Sequence, residues 1–153
     1  MNFELTVNGT RRALDLAPQE LLLDVLRDRL DLRGAKRSCE VQVCGACTVL
    51  LDGDPVSACC TLAADAEGRE VLTIEGLADQ PEFTAIADAF THHAALQCGF
   101  CTPGLVLTVK ALLDSTALSG PDEIAQQLSG NLCRCTGYRG ILEAVCELAG
   151  VEA

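Results

Sequence analysis

The sequence contains no tryptophan, one tyrosine and four phenylalanines among its 153 residues. Any hydrophobic core must therefore be aliphatic, and the 49% of residues that are hydrophobic are enough to build one. Long apolar runs are also missing. Stretches such as LLLDVL are much shorter than the roughly 18 residues that a membrane helix requires. We therefore expect no membrane partner.

Positive charge is scarce as well, with 11 Lys and Arg against 22 Asp and Glu and a net charge of −11. Nucleic-acid binding requires a basic face, so we expect no nucleic-acid partner. The charge instead favours solubility. The N-terminal segment MNFELTVNG has no basic region followed by an apolar stretch, so we expect no signal peptide and a cytoplasmic location.

Cysteine, in contrast, is abundant, with ten residues. An even number suits the disulfide framework of a secreted protein. In a reducing compartment such thiols are more often metal ligands or catalytic groups, and we favour ligands over disulfides. Five of the thiols lie between Cys39 and Cys60, and four lie between Cys98 and Cys135.

The first half of the chain predicts strands and one helix, as in an α+β roll. Polar and apolar residues alternate in NFELTVN, and Asn8-Gly9 and Asp52-Gly53 are hairpin signals. Pro18 fits the first position of a helix over QELLLDVLRDRL. The predicted strands are 2–8, 11–16, 48–51, 56–59 and 70–74.

The second half predicts a small bundle of four helices. Pro103 and Pro121 fit the first positions of two of them. The predicted helices are 83–94, 103–113, 121–128 and 138–149. The pattern breaks at EGLADQP, so we predict two domains, 1–76 and 77–153.

The first thiol group has the spacing C-x4-C-x2-C-x11-C, formed by Cys39, Cys44, Cys47 and Cys59. Its opening C-x4-C-x2-C is typical of a plant-type [2Fe–2S] loop. Zinc is the alternative, but zinc sites usually pair their cysteines twice as C-x2–4-C. Because neighbouring strand residues point to opposite faces, only one of Cys59 and Cys60 is expected to face the metal. The spacing favours Cys59, which leaves Cys60 as a small buried hydrophobic residue.

The second group consists of two short pairs, Cys98-x2-Cys101 and Cys133-x-Cys135. Each pair precedes a predicted helix start, where free N–H groups and the helix dipole stabilise thiolates. Taken alone, this spacing is also compatible with zinc or with a redox dithiol. Phe100, between two of the thiols, is expected to shield the metal from water.

Four segments together carry a resemblance over essentially the whole chain: CGACTVLLDGDPVSAC, TIEGL, LQCGFCTPG and GNLCRCTGYRGI. They resemble the small iron–sulfur subunit of the molybdenum hydroxylases, the family of xanthine dehydrogenase, aldehyde oxidoreductase and aerobic carbon monoxide dehydrogenase. The resemblance implies an N-terminal plant-ferredoxin-like β-grasp domain and a C-terminal four-helix bundle, each with one [2Fe–2S] cluster. It implies an electron-transfer subunit of an oxidoreductase complex, with no catalytic residue and no substrate chemistry on this chain alone.

The resemblance also implies the role of each site residue. Cys39, Cys44, Cys47 and Cys59 would hold the cluster distal to molybdenum, and Cys98, Cys101, Cys133 and Cys135 the proximal one. Gln97 would contact the pyranopterin of the molybdenum cofactor. A large subunit would bind that cofactor and a medium subunit FAD, in a dimer of heterotrimers. Electrons would pass from molybdenum through both clusters to FAD or an external acceptor.

One segment departs from the family, because many relatives are glycine-rich where this chain has Glu40-Val41-Gln42-Val43. Valine adopts positive φ poorly, so either the loop manages without glycine or its hydrogen bonds to sulfur differ.

Two other functions are compatible with the sequence. One is a free soluble two-cluster ferredoxin, and the other is a zinc-stapled interaction module.

Overall fold

A computed structural model describes residues 2–115 and 118–152. Within these ranges, five strands form one mixed sheet that is followed by a helical region, which confirms the α+β class. The strands are β1 (Asn2–Val7), β2 (Thr10–Asp15), β3 (Thr48–Leu51), β4 (Asp54–Ser57) and β5 (Glu70–Leu72). The helices are α1 (Leu22–Asp24), α2 (Ile74–Ala78), α3 (Pro81–His92), α4 (Thr102–Ser115), α5 (Pro121–Gln127) and α6 (Arg139–Ala149).

The sheet has the strand order β2-β1-β5-β3-β4, in which only the β1–β5 pair is parallel. Both hairpins turn where the sequence predicts. Asn8 and Gly9 have positive φ between the paired residues Val7 and Thr10, and Asp52 and Gly53 do the same in the second hairpin. Asparagine, aspartate and glycine tolerate this conformation, which matches the twist of the strands.

The first helix differs from its prediction, because Pro18 does not begin it. Residues 17–20 form a turn in which the Glu20 N–H donates to the Ala17 carbonyl at 3.0 Å, and α1 begins only at Leu22. Beyond Asp24 the helix widens into a π-helical turn over Val25–Arg29. The apolar residues Leu22, Leu23, Val25 and Leu26 are all fully buried on this element.

Strand β3 links two hydrophobic cores. Its residues Val49 and Leu51 pack with α1 and with the inner face of β1, whereas Leu50 packs with the buried side chains of the helices. All four residues of the strand are buried. Helix α4 therefore lies directly on the sheet, and this contact fixes the second thiol group relative to the first.

The helices agree with the predicted bundle, with small shifts at their ends. α3 begins at Pro81 rather than at residue 83, and α6 ends before Gly150, which has positive φ. The predicted boundary between the two domains, at residues 76 and 77, lies inside α2, and this division of the chain remains a prediction. The outer bounds of the two domains, Met1 and Ala153, lie outside the described residues. In the described parts of the chain, no helix is long and apolar enough to cross a membrane.

Candidate metal centres

The loop after Cys39 wraps its backbone around the Cys39 sulfur. The N–H groups of Val41, Val43 and Cys44 point to this sulfur at 3.5, 3.4 and 3.4 Å. These hydrogen bonds, the one from Val41 first, lower the pKa of Cys39 to about 6. The loop therefore stabilises a thiolate, which is the form that binds a metal ion.

This loop achieves its path without glycine. Glu40 and Gln42 adopt the left-handed conformation, with φ of 58° and 59°, and neither valine does. Of the two possibilities that the sequence left open, the loop therefore manages without those glycines. Arg37 holds Glu40 through an ion pair of 2.7 Å and also pairs with Asp24 on α1. Val41 and Val43 are left exposed on the outside of the loop.

The inner half of the first group is buried. Cys47 and Cys59 are 3% and 5% exposed and pack in the core beneath the sheet. Burial raises the pKa of Cys47 to about 12, although the Cys59 N–H opposes this change. Two outer thiols, Cys39 and Cys44, are only half-buried. The group therefore offers two buried and two partly exposed sulfurs.

The prediction for Cys60 is wrong on two points. β4 ends at Ser57, so Cys59 and Cys60 lie in the turn that follows and do not alternate across a strand. Their sulfurs are 3.7 Å apart, and Cys60 is exposed rather than buried. The hydrogen bond with Cys59 raises the pKa of Cys60, and the Gln42 N–H opposes this change.

In the second group the structure brings together both cysteine pairs. The sulfurs of Cys98 and Cys135 lie 3.5 Å apart. Burial, and then the hydrogen bond with Cys133, raise the pKa of Cys101 to about 12. Burial would also raise the pKa of Cys133, but hydrogen bonds from the Thr136 hydroxyl, the N–H groups of Thr136 and Cys135, and Cys101 together outweigh it and lower the pKa to about 7.

Two residues that sequence reasoning missed shape the second group. The Thr136 hydroxyl donates to the Cys133 sulfur at 3.2 Å, and the Tyr138 hydroxyl accepts the Cys133 N–H at 2.7 Å. Gly137 and Tyr138 both have positive φ, which folds the segment back onto itself. Thr136 and Tyr138 both belong to the motif GNLCRCTGYRGI, but nothing in the local sequence pattern indicates that they contact Cys133.

The two thiol groups are connected by direct contacts. The N–H of Leu132, which precedes Cys133, donates to the carbonyl of Cys44 at 2.9 Å. Asn131 is buried, and its Nδ2 donates to the carbonyl of Gly45 at 3.2 Å. A Cβ on Gly104 of α4 would lie 2.2 Å from the same carbonyl oxygen, so glycine is needed for this approach. The loop of the first group therefore packs against the second group.

A cleft of about 680 Å³ opens over the second group and extends to Cys44 and Ala46 of the first. Helix α4 begins at Thr102, directly after Cys101, and α6 begins at Arg139, shortly after Cys135, as the sequence predicts. Phe100 lines the cleft but is 46% exposed, so it gives little shielding within this chain. Gln97 is exposed beside Cys98.

The chain resembles known proteins over almost its full length. A family described as a "2Fe-2S iron-sulfur cluster binding domain" matches residues 16–95, and a "[2Fe-2S] binding domain" matches residues 73–146. The nicotine 6-hydroxylase small subunit of Paenarthrobacter nicotinovorans is 45% identical, over 98% of this chain and 90% of the relative. The nicotinate dehydrogenase small FeS subunit of Eubacterium barkeri is 43% identical, over 95% and 92%.

A solved structure shows the same fold. One chain of quinoline 2-oxidoreductase from Pseudomonas putida 86 superposes with a TM-score of 0.90 and 44% identity, covering 97% of this chain and 92% of the other. This chain belongs to the small iron–sulfur subunits of the molybdenum hydroxylases. The small subunit is an electron-transfer component of an oxidoreductase complex, with two 2Fe-2S domains.

The residues of the small subunit fit two [2Fe–2S] clusters. All ten cysteines are free, so the thiols of both groups are available as ligands. Each predicted set contains four thiols, and backbone N–H groups face a sulfur of the first set. Such N–H groups offset the negative charge of a thiolate-bound cluster. The family excludes the zinc-stapled module and the free ferredoxin that the sequence left open.

Other residues of the small subunit have structural partners. Arg139 pairs with Glu143 on α6 at 2.8 Å. The Nε2 atom of His93 lies 2.5 Å from a carboxylate oxygen of Glu147, which ties the end of α3 to α6. Cys146 is buried within α6. These contacts explain the residues as parts of the helical packing.

Proposed function

We propose that the distal [2Fe–2S] cluster is held by Cys39, Cys44, Cys47 and Cys59. Three observations support this set. The N–H groups of the loop converge on Cys39, the buried Cys47 interacts with both Cys44 and Cys59, and Cys39 shares a hydrogen bond with Cys44. The four thiols thus form one connected group. The domain of this centre is residues 1–76.

We propose that the proximal cluster is held by Cys98, Cys101, Cys133 and Cys135, in the domain 77–153. Contacts run between the two pairs, since Cys98 meets Cys135 and Cys101 meets Cys133. The Thr136 hydroxyl orients the Cys133 sulfur. When bound, each cluster supplies one-electron redox chemistry at its site.

The single observation that carries the function is the backbone contact between the two centres. The hydrogen bond of 2.9 Å from Leu132 to the Cys44 carbonyl connects the segment of a proximal ligand to a distal ligand. Asn131 and Gly104 hold this contact in place from the helical side. The chain therefore keeps its two centres at a fixed separation, as electron transfer between them requires.

The exposed surfaces support an order of transfer. Cys98 and Cys135 are exposed, and Gln97 is exposed beside them. We assign this side to the large subunit, with Gln97 contacting the pyranopterin. Val41 and Val43 are 65% and 58% exposed at the distal loop, and we assign that side to the medium FAD subunit or another acceptor. The complex is a cytoplasmic dimer of heterotrimers, where reducing conditions keep ligand thiols free.

Purification from the native host tests this function. We expect the small subunit to elute with molybdenum and FAD subunits, with a mass that fits two copies of each. After partial reduction, electron paramagnetic resonance should show two different [2Fe–2S] signals. Recovery as a stable monomer without molybdenum would contradict the proposal, as would a complex in which only one iron–sulfur signal is detected.

A further inference from the structure

A fifth sulfur lies beside the four of the first thiol group, which are all used by the proposed distal cluster. Cys60 is the additional thiol, and its sulfur lies 3.7 Å from that of Cys59. Two sulfurs bound to one tetrahedral metal ion through bonds of about 2.3 Å are about 3.8 Å apart. Cys59 and Cys60 therefore already have the separation of two ligands of the same ion.

The environment of Cys60 differs from that of its neighbour. Cys59 is buried next to Cys47, whereas Cys60 is exposed. The Cys60 sulfur lies 3.9 Å from the carbonyl oxygen of Glu40, the residue that directly follows Cys39. Cys60 therefore lies on the solvent side of the group, next to both its buried and its exposed halves.

The second thiol group has no comparable surplus. Its four thiols are all used by the proposed proximal ligand set, and the remaining cysteine of the chain, Cys146, is buried within α6. This difference provides a control inside the same molecule. A ligand lost from the second group has no neighbouring thiol to replace it.

We propose that Cys60 is a reserve ligand of the distal centre, which binds the metal when Cys59 leaves it. The exchange is redox-neutral, because the Cys60 thiol releases its proton as its sulfur binds iron, and the departing Cys59 sulfur takes up a proton. Both residues belong to the turn after β4, so the exchange moves that turn and leaves the paired strands in place. The inference rests on the proposed ligand set.

The test compares Cys59→Ala with the double variant Cys59→Ala/Cys60→Ala in the intact complex. We expect the single variant to keep about four irons per chain and both resonance signals, with the distal signal shifted. The double variant should lose the distal signal and about two irons, and Cys98→Ala should lose the proximal signal in the same way. Equal loss of the distal signal in the single and double variants would overturn the reserve role.

Failure of the proposed function is distinguishable from failure of this inference. If the proposed distal ligand set is wrong, the unmodified complex already lacks the distal signal. A misassembled Cys59→Ala variant would lose the proximal signal too. In that case the reserve role is tested with Cys60→Ala, by measuring the rate at which a chelator removes distal iron.

We expect removal from Cys60→Ala to be about tenfold faster than from the unmodified complex, with Cys146→Ala as the unchanged control. Equal rates for Cys60→Ala and the unmodified complex would overturn the proposal. Loss of distal iron from Cys60→Ala during purification would overturn it too, because Cys60 would then be a resident ligand.

Discussion

Replacement of Asn131 by alanine is expected to loosen the contact between the two thiol groups. Asn131 is 4% exposed, and its Nδ2 atom donates to the Gly45 carbonyl at 3.2 Å and to the Thr48 hydroxyl at 3.4 Å. Its Oδ1 atom, at 3.0 Å from the Thr108 hydroxyl, shares that hydroxyl's single proton with the Gly104 carbonyl. These bonds join the distal loop and β3 to helix α4, and the substitution removes all three.

The free energy lost in Asn131→Ala depends on which hydrogen bonds its former partners still form. A hydrogen bond contributes about 1 kcal/mol, and both the bond of 3.4 Å and the shared Thr108 bond contribute less than that, so the total loss is about 2 kcal/mol. No partner is left without a hydrogen bond. The Thr108 hydroxyl still donates to the Gly104 carbonyl at 2.9 Å, and the Gly45 carbonyl still accepts from Thr48 at 2.8 Å. The larger penalty of an unsatisfied buried group therefore does not apply.

Amide hydrogen exchange at Leu132 measures this effect, because its N–H forms the bond to the Cys44 carbonyl. A loss of about 2 kcal/mol corresponds to exchange that is roughly 30-fold faster. Asn131→Asp should have a larger effect, because it places a buried carboxylate oxygen, in place of an N–H donor, against the Gly45 carbonyl oxygen. Gln126→Ala, an exposed amide on α5, is the matched control. Unchanged exchange at Leu132 in Asn131→Ala would refute the reasoning.

Three further predictions concern the thiol loops. In the metal-free protein the pKa of Cys39 is near 6, so its thiolate forms above that pH. The rate of Cys39 alkylation should therefore fall as the pH drops through about 6, and the hydrogen bonds that stabilise the thiolate should weaken with it. An alkylation rate that is flat from about pH 5 to 8 would contradict this. Gln42→Gly relieves a left-handed conformation and should raise the free energy of unfolding in urea by about 1 kcal/mol. Val43 does not have positive φ, so Val43→Gly should bring no such gain, and a Val43→Gly variant more stable than Gln42→Gly would disprove this account of the loop. Tyr138→Phe leaves the Cys133 N–H without the hydroxyl at 2.7 Å, so it should shift only the proximal resonance signal, and a shift of the distal signal alone would count against the assignment.

Much of the fold is predictable because its signals are local. Asn8-Gly9 and Asp52-Gly53 each need only their own positive φ to fix a hairpin, and both turns occur as predicted. Pro103 and Pro121 lie in the first turns of α4 and α5, as predicted. The position of Pro18 misleads for the same local reason, because a proline suits a turn as well as a helix start. The helix then begins where leucines can enter the core.

The details of the site depend on contacts that local sequence does not contain. The Asn131 amide bonds to Gly45 across 86 residues of sequence, so its role is visible only in the folded chain. Cys60 is exposed because β4 ends at Ser57, which follows from the pairing of β4 with β3. Glu40 and Gln42, rather than the valines, carry the left-handed conformation, a choice set by the N–H groups that must face Cys39.

The most direct test of the central claim is to remove one ligand from each thiol group and record the resonance signals of the partly reduced complex. The unmodified complex should contain about four irons per chain and show two signals. Cys44→Ala should abolish one signal and Cys98→Ala the other, each leaving about two irons. Loss of both signals in either variant, or zinc in place of iron, would contradict two separate [2Fe–2S] centres held by these two groups.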